Sequence, residues 1–305
     1  MKLSIIIPVW NEEENIQSLY NKLKTILMGD YEILFVDDGS TDGTYHFLNN
    51  TRRKDSKLKI IRFKKNSGKS AALSMGFKHA KGDIIITMDG DLQDDPEEIP
   101  NFIEKIKEGY DLVVGWKYKR QDPLSKRIPS KFFNFLIKIL TGVKIHDSNC
   151  CFKAYKKEVL KNLKIYGELH RYIPSLVHWK GFKITEIKVK HHKRLHGKSK
   201  YGISRLLKGF LDLLTIKFLI KYSKKPLHFF GSIGIISFLV GTMISLYLLY
   251  EKYFLDLNIG SRPLLILGVL CVIIGIQFIC LGLLGEMILN IIPNENEEEV
   301  EYGFN

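Results

Sequence analysis

Cysteine is scarce in this chain. Its four copies are Cys150 and Cys151, which adjoin, and Cys271 and Cys280, which lie in an apolar run. That distribution excludes a disulfide framework and a CxxC metal knuckle, and it implies a reducing, cytosolic setting for the polar part of the chain. Formal charge is missing from two long stretches. Residues 227–250 carry none apart from a protonatable His228, and residues 263–285 carry none at all. Each is long enough to cross a hydrocarbon layer of ~30 Å, which takes about 20 helical residues. Both are expected to be transmembrane helices, joined by a short link into an antiparallel hairpin. The start of the chain, one Lys, a short apolar run and then Asn11-Glu12-Glu13-Glu14, lacks the pattern of a signal peptide. Glycine is missing from position 63, where Phe63 stands, so Asn66-Ser67-Gly68-Lys69-Ser70 is not a Walker loop. An EF-hand starting at Asp89 fails likewise, with Asp94 at its sixth position and Pro100 at its twelfth. No internal repeat is visible.

Acid is in deficit, 33 Asp+Glu against 46 Lys+Arg, for a formal charge of +13. Such an excess suits nucleic acid, an anionic membrane surface or a phosphorylated substrate. The surplus lies between about Lys117 and Lys225, whereas 295–301 form an acidic tail. Over 125–140, Ile128, Phe132, Phe133, Leu136, Ile139 and Leu140 recur at helical spacing against Lys126, Arg127, Lys131 and Lys138. Residues 202–223 repeat that character. Beside two transmembrane spans, these amphipathic basic helices are expected to lie on the inner leaflet and bind anionic lipid. Without aromatic interleaving beyond their apolar faces, nucleic acid is not expected as a partner. Lys217, Lys221, Lys224 and Lys225 outnumber Lys252 and Arg262 of the link, which keeps the large polar part and both ends of the hairpin in the cytosol.

The first 90 residues alternate strands with helices. Strands are expected over 3–9, 31–36, 58–63 and 82–88, with Asn11 capping a helix that runs to about Leu27 and another helix over 71–80. A weaker strand over 111–115 precedes a basic loop starting at Lys117. The pattern predicts a doubly wound parallel α/β sheet whose acidic and Gly-rich loops converge at one edge, where open sheets bind ligands.

At that edge stands Thr87-Met88-Asp89-Gly90-Asp91-Leu92-Gln93. Asp89 and Asp91 flank a glycine, so a tight turn lets both carboxylates reach one hard divalent cation. A solvated acidic turn is the competing reading, and spacing alone does not decide. Asp94 to Glu98 read as the start of a helix, with Asp94 or Asp95 as N-cap and Pro96 at the first position. His191, His192 and His196 stand among Lys190, Lys193, Arg194 and Lys198, a setting for an anion rather than a metal.

Pro8-Val9-Trp10-Asn11-Glu12-Glu13, Val36-Asp37-Asp38-Gly39-Ser40-Thr41-Asp42-Gly43-Thr44 and Met88-Asp89-Gly90-Asp91-Leu92-Gln93 together resemble family 2 glycosyltransferases of the GT-A fold. Asp147 to Ala154, Tyr166 to Arg171 and Arg194 to Gly202 look like that family's polyprenyl-phosphate branch, which includes dolichyl-phosphate mannose synthases and bactoprenol glycosyltransferases. The resemblance implies a GT-A catalytic domain over 1–201, a juxtamembrane helix over 202–225, two transmembrane helices within 226–292 and a cytoplasmic tail over 293–305. It implies that Pro8, Trp10, Glu12 and Asp38 surround the base and ribose of a UDP- or GDP-linked sugar. Asp89, Asp91 and Gln93 would hold Mg2+ or Mn2+ on the donor diphosphate. Gly68, Lys69, Gly90, Lys117, Arg120, Arg127 and Lys198 are expected around the donor and the phosphate of a polyprenyl acceptor. Arg194 and Lys200 belong to the basic segment that closes on phosphates, and Asp147 matches a carboxylate that acts as base or orients the acceptor. Two departures stand out: Trp116-Lys117 where the family often has Arg, and Cys151 where Gly is usual. The expected activity is metal-dependent, inverting transfer of one sugar to polyprenyl phosphate at the cytoplasmic membrane. A processive polysaccharide synthase would need more spans and a Gln-x-x-Arg-Trp segment. A non-catalytic basic membrane scaffold would leave Asp89 and Asp91 unexplained. Sugar identity and oligomeric state, homo-oligomers included, stay open.

Overall fold

The computed structural model describes residues 1–118, 137–139, 141–161, 163, 165–192, 212, 215, 217–218, 221–222, 225–260 and 262–291. The chain divides into two units, residues 1–216 and 217–305. The first is built on β1 (Leu3–Val9), α1 (Glu13–Ile26), β2 (Tyr31–Asp37), α2 (Thr44–Arg52), β3 (Leu58–Arg62), α3 (Lys69–His79), β4 (Ile84–Thr87), α4 (Ile99–Lys107), β5 (Leu112–Lys117), β6 (Lys153–Lys156), α5 (Lys157–Leu160), α6 (Ile173–Trp179) and β7 (Ile184–Val189). Their strands form one sheet in the order β3-β2-β1-β4-β6-β5-β7. β1, β2 and β4 are predominantly apolar runs, as strands covered on both faces tend to be, and Ile5, Ile6, Ile7, Ile33, Phe35 and Ile86 are completely buried. α3 packs on β1 and β2, and α4 packs on β4, β5, β6 and β7, burying Ile99, Phe102 and Ile106 along one helical face, as α1 buries Ile16, Leu19 and Leu23.

Three expectations are corrected. The sheet is mixed, because β6 runs antiparallel to both β4 and β5. A four-residue strand with Lys at each end carries too little pattern to be read from sequence. Asn11 does not cap α1, which begins after Glu12. Instead Asn11 takes a left-handed conformation, φ 53°, and its side-chain oxygen accepts the Thr41 N–H at 2.8 Å. Lys117 is the last residue of β5 rather than part of a loop, paired with Val189 of β7. The helix expected over 125–140 lies mostly outside the described residues. Within it, Ile137 is buried and Ile139 is 62% exposed. The helix expected over 202–223 also falls largely outside them.

The second unit holds α7 (Pro226–Phe254) and α8 (Pro263–Ile291), 29 residues each and long and apolar enough to cross a membrane. They pack on each other through glycine. A Cβ at Gly234 would fall 2.7 Å from the Gly275 carbonyl oxygen, and one at Gly241 would fall 2.6 Å from that of Gly268. Such backbone approach is how apolar helices associate where no water is expelled. Most of their large side chains face outward, an arrangement that a helix buried in a soluble core does not show. At the turn end, Glu251 is buried between the Tyr247 hydroxyl, 2.8 Å away, and the Arg262 guanidinium.

Candidate active site at the β1–β4 crevice

β1 separates strands that continue in opposite directions across the sheet, β2 and β3 on one side and β4 on the other. Open sheets bind ligands at such a switch point. The β1–β4 pairing stops at Ile6↔Thr87, while β1 and β2 stay paired to Val9↔Asp37. Pro8 therefore sits where β4 no longer needs its missing N–H, and a crevice opens beyond it. Gly90 lines that crevice because a Cβ there would come 2.8 Å from Val9.

The loops after β1 and β2 lock together. The Asn11 N–H donates to Ser40 Oγ at 2.9 Å, the Glu12 N–H to Thr44 Oγ1 at 2.9 Å and the Gly43 N–H to Glu13 Oε2 at 2.9 Å. Glu12 also accepts from Asn15 at 2.7 Å, and Trp10 stays 36% exposed at the mouth. Asp38, buried, grips the loop after β3. Its two oxygens accept the N–H groups of Ser67 at 2.7 Å and Gly68 at 2.9 Å. Burial pushes the Asp38 carboxyl up despite those two donors, and neighbouring Asp37 adds to the rise. Gly68 has φ 90°, a conformation that only glycine takes without strain, and it opens α3 so that Lys69 stands at the helix start. The buried His170 holds that start from the other side, with Nδ1 2.8 Å from Ser70 Oγ. Burial and then Lys69 push the His170 imidazole well down, which keeps it neutral.

Lys69 reaches the metal-candidate loop. Its Nζ lies 2.6 Å from Asp89 Oδ1. Burial alone would raise the Asp89 carboxyl, but the ammonium groups of Lys69 and Lys117 outweigh it and hold Asp89 far below the usual carboxylate range. The loop is stiff. Asp91, buried, accepts the Gln93 N–H at 3.2 Å, Leu92 turns the chain with φ 62°, and the Asp89 N–H donates to Asp94 Oδ2 at 3.3 Å. Asp95 is the N-cap of the turn Pro96–Glu98, accepting from the Glu97 N–H at 3.1 Å. Asp94 is not a cap. It is a buried carboxylate paired with Lys117 at 3.1 Å, so of the two cap candidates the structure uses Asp95. Burial would lower the Lys117 ammonium, and Asp94, Cys150, Asp89 and Asp147 together push it well up instead. Residues at the start of the basic segment add a further strap. The backbones of Asp94 and His191 pair in an antiparallel β-bridge, the His192 N–H donates to the Gln93 carbonyl at 2.9 Å, and the His192 ring lies 3.1 Å from Asp95.

Asp147 completes the cluster. It is buried on a turn in which the Cys150 N–H donates to the Asp147 carbonyl at 3.3 Å. The same turn is tied to β4, since Thr87 Oγ1 donates to the Cys151 carbonyl at 2.6 Å. Burial raises both thiols, Cys151 to about 12, so these cysteines are protonated and unreactive, and among the described residues all four are free of disulfides. Thus Asp38, Gly68, Lys69, Asp89, Gly90, Lys117 and Asp147 gather around one crevice, with Pro8, Trp10 and Glu12 on its β1 side. Arg120, Arg127, Arg194, Lys198 and Lys200 lie outside the described residues. Thr87, Asp94 and His170 escaped the sequence reading because their importance rests on partners 23 to 100 positions away in the chain.

The donor set fits a hard divalent cation. Asp89, Asp91 and Gln93 offer only oxygen, and an ammonium already lies on Asp89, so the site accepts positive charge there. Among the described residues no three His, Cys, Asp or Glu close into a cage. A cation held by one or two carboxylates and completed by diphosphate oxygens needs no such cage.

Comparison with known proteins agrees. Residues 4–164 match the model of glycosyl transferase family 2. The chain is 40% identical over 299 residues to the dodecaprenyl-phosphate galacturonate synthase of Rhizobium johnstonii, covering 94% of this chain and 88% of that one. It is 37% identical over 295 residues to the undecaprenyl-phosphate 4-deoxy-4-formamido-L-arabinose transferase of Shewanella sediminis, covering 94% and 86%. Among solved structures, glucosyl-3-phosphoglycerate synthase from Mycobacterium tuberculosis, in complex with Mn2+, UDP and glucosyl-3-phosphoglycerate, superposes with a TM-score of 0.54 at 18% identity over 72% of this chain and 79% of that one. A mannosyltransferase from Pyrobaculum calidifontis, in complex with GDP-Man and Mn2+, gives 0.52 at 19% identity over 71% and 63%. At such identities the likeness establishes the fold, which is GT-A. This chain, matched by the family model over residues 4–164 and by relatives along nearly its whole length, belongs to glycosyl transferase family 2.

Proposed function

We propose that this chain moves a single sugar from a UDP- or GDP-linked donor to a membrane polyprenyl phosphate, with inversion at the anomeric carbon and with the help of Mg2+ or Mn2+. The observation that carries the reading is the crevice between β1 and β4, where Asp89, held by Lys69, stands beside the turn of Asp147. Two relatives that match 94% of this chain act, by their names, on dodecaprenyl and undecaprenyl phosphate.

An oxygen of the acceptor phosphate attacks the anomeric carbon, a new C–O bond forms, and the bond to the nucleoside diphosphate breaks with its electrons. Near pH 7 a phosphate monoester is already largely ionised, so Asp147 has an acceptor to orient and little proton to remove. Trp10 and the locked loops 10–13 and 38–44 frame a rigid edge for the donor base. The backbone N–H of Lys69 and its neighbours at the start of α3 favour negative charge from the diphosphate. A bound divalent cation supplies neutralisation of the charge that grows on the departing diphosphate. α7 and α8, exposed apolar helices, would anchor the enzyme in the cytoplasmic membrane as a two-span hairpin, with the catalytic unit on the cytosolic side.

The test incubates the full-length protein in detergent with radiolabelled UDP- and GDP-sugars, polyprenyl phosphate and Mg2+ or Mn2+, with chelator controls. Label should enter the organic phase only with acceptor and metal present. Absence of lipid-linked label with every donor would overturn the assignment.

A further inference from the structure

Lys153 is a lysine with almost no access to water. It lies on β6, the antiparallel strand between β4 and β5, level with Thr87 of β4 and Val114 of β5, and is 3% exposed. Its Nζ donates to the carbonyl oxygen of Cys150. Among the described residues no carboxylate forms an ion pair with it. An ammonium inside a protein is costly unless it is paired and hydrogen-bonded, and packing alone gives no reason to keep one where Met would fill the same space. The expense is explained by what Lys153 holds. The Cys150 carbonyl belongs to the turn that carries Asp147 at one end and Cys151 at the other, and the Thr87 hydroxyl ties the same turn to the strand that leads into Asp89. The turn therefore hangs from two side chains at the same level of adjacent strands, Thr87 and Lys153. Burial, and then Lys69, push the Lys153 ammonium down, against nearby Cys150, Cys151 and Asp147, which favour its charged form.

We propose that Lys153 is a positioning residue for sugar transfer: through the Cys150 carbonyl it fixes the Asp147–Cys151 turn, and so sets Asp147 in place relative to Asp89 across the crevice. This inference rests on the transferase reading above and adds to it a group that never touches substrate. A displacement of the turn by about 1 Å is enough to cost on the order of 100-fold in rate.

Its consequence is a separation of rate from stability. In the full-length enzyme, Lys153→Met should lower kcat by at least about tenfold, leave the KM for the nucleotide-sugar and the calorimetric binding of UDP or GDP with Mn2+ within about twofold, and keep or raise the melting temperature, since removing a buried charge is often neutral or stabilising. Lys153→Arg should recover part of the rate. Thr87→Val, which cuts the second tether with little change of volume, should also reduce kcat while sparing nucleotide binding. The proposal is overturned if kcat in both Lys153→Met and Thr87→Val stays within about twofold of wild type. It is equally overturned if both variants lose melting temperature, nucleotide binding and rate in parallel, which is the behaviour of a purely structural residue. Wild-type turnover, measured in the same assay, reports separately on the transferase reading, so its failure is not confused with that of Lys153.

Discussion

Replacing Lys69 by Met should tighten cation binding and slow transfer, two effects of opposite sign from one side chain. Lys69 Nζ sits 2.6 Å from Asp89 Oδ1, with the two side chains 22% and 28% exposed. The pair is charge-assisted but partly open to solvent, so it is worth about 1–2 kcal/mol, above a fully exposed pair and well below its Coulomb energy in a dry interior. A divalent cation that takes Asp89 has to displace that ammonium. Without it, Mn2+ should bind the nucleotide-free enzyme about 5- to 30-fold more tightly. Transfer should fall by about 100-fold, because a positive group near the departing diphosphate is lost from a preorganised site. Free Mn2+ measured by its electron paramagnetic resonance signal during titration gives the first quantity, and label extracted with the lipid gives the second. Mn2+ affinity that is unchanged or weaker in the variant would refute the idea that Lys69 occupies the cation's place. Undiminished turnover would refute its part in the reaction.

Asp89→Asn and Asp91→Asn should each remove most transfer, by about 100-fold or more, with secondary structure by circular dichroism unchanged. Near wild-type activity in either would sink the assignment of the metal loop. Lys117→Met should destabilise by about 3–5 kcal/mol by leaving Asp94 buried and uncompensated, and adding Asp94→Asn should restore most of the melting temperature. An unaltered melting curve in the single variant would show that the pair is not what holds this loop. Asp95→Ala should cost about 1 kcal/mol at pH 7, read from chemical denaturation. Burial alone would raise the Asp95 carboxyl, yet His192 and the Glu97 N–H hold it below its ordinary value. With the folded value depressed, its contribution is present above the unfolded carboxylate range and fades as pH falls through the folded value. The difference between variant and wild type should therefore shrink toward pH 3, and a difference that grows would contradict the sign.

Sequence alone determined the elements whose patterns are local. The apolar runs of β1, β2 and β4 declare buried parallel strands because strands covered on both faces are mostly apolar on both. The uncharged stretches of α7 and α8 declare membrane-length helices because no other setting tolerates so many outward apolar residues. Asp89 and Asp91 were legible as a candidate metal pair because two carboxylates flank a glycine at a strand end, while Asp147 stood out only through the family resemblance. Tertiary structure decided which charges meet. Asp94 looks like a helix cap until Lys117, from a strand 23 residues on, is folded against it. Asn11 looks like a cap until the loop after β2 takes its side chain. Lys153 falls in the Asp147–Ala154 stretch without any role in the sequence reading. Only the antiparallel insertion of β6 between β4 and β5 buries it beside the turn of Asp147, because a lone short strand acquires its two faces from its neighbours and not from its own four residues.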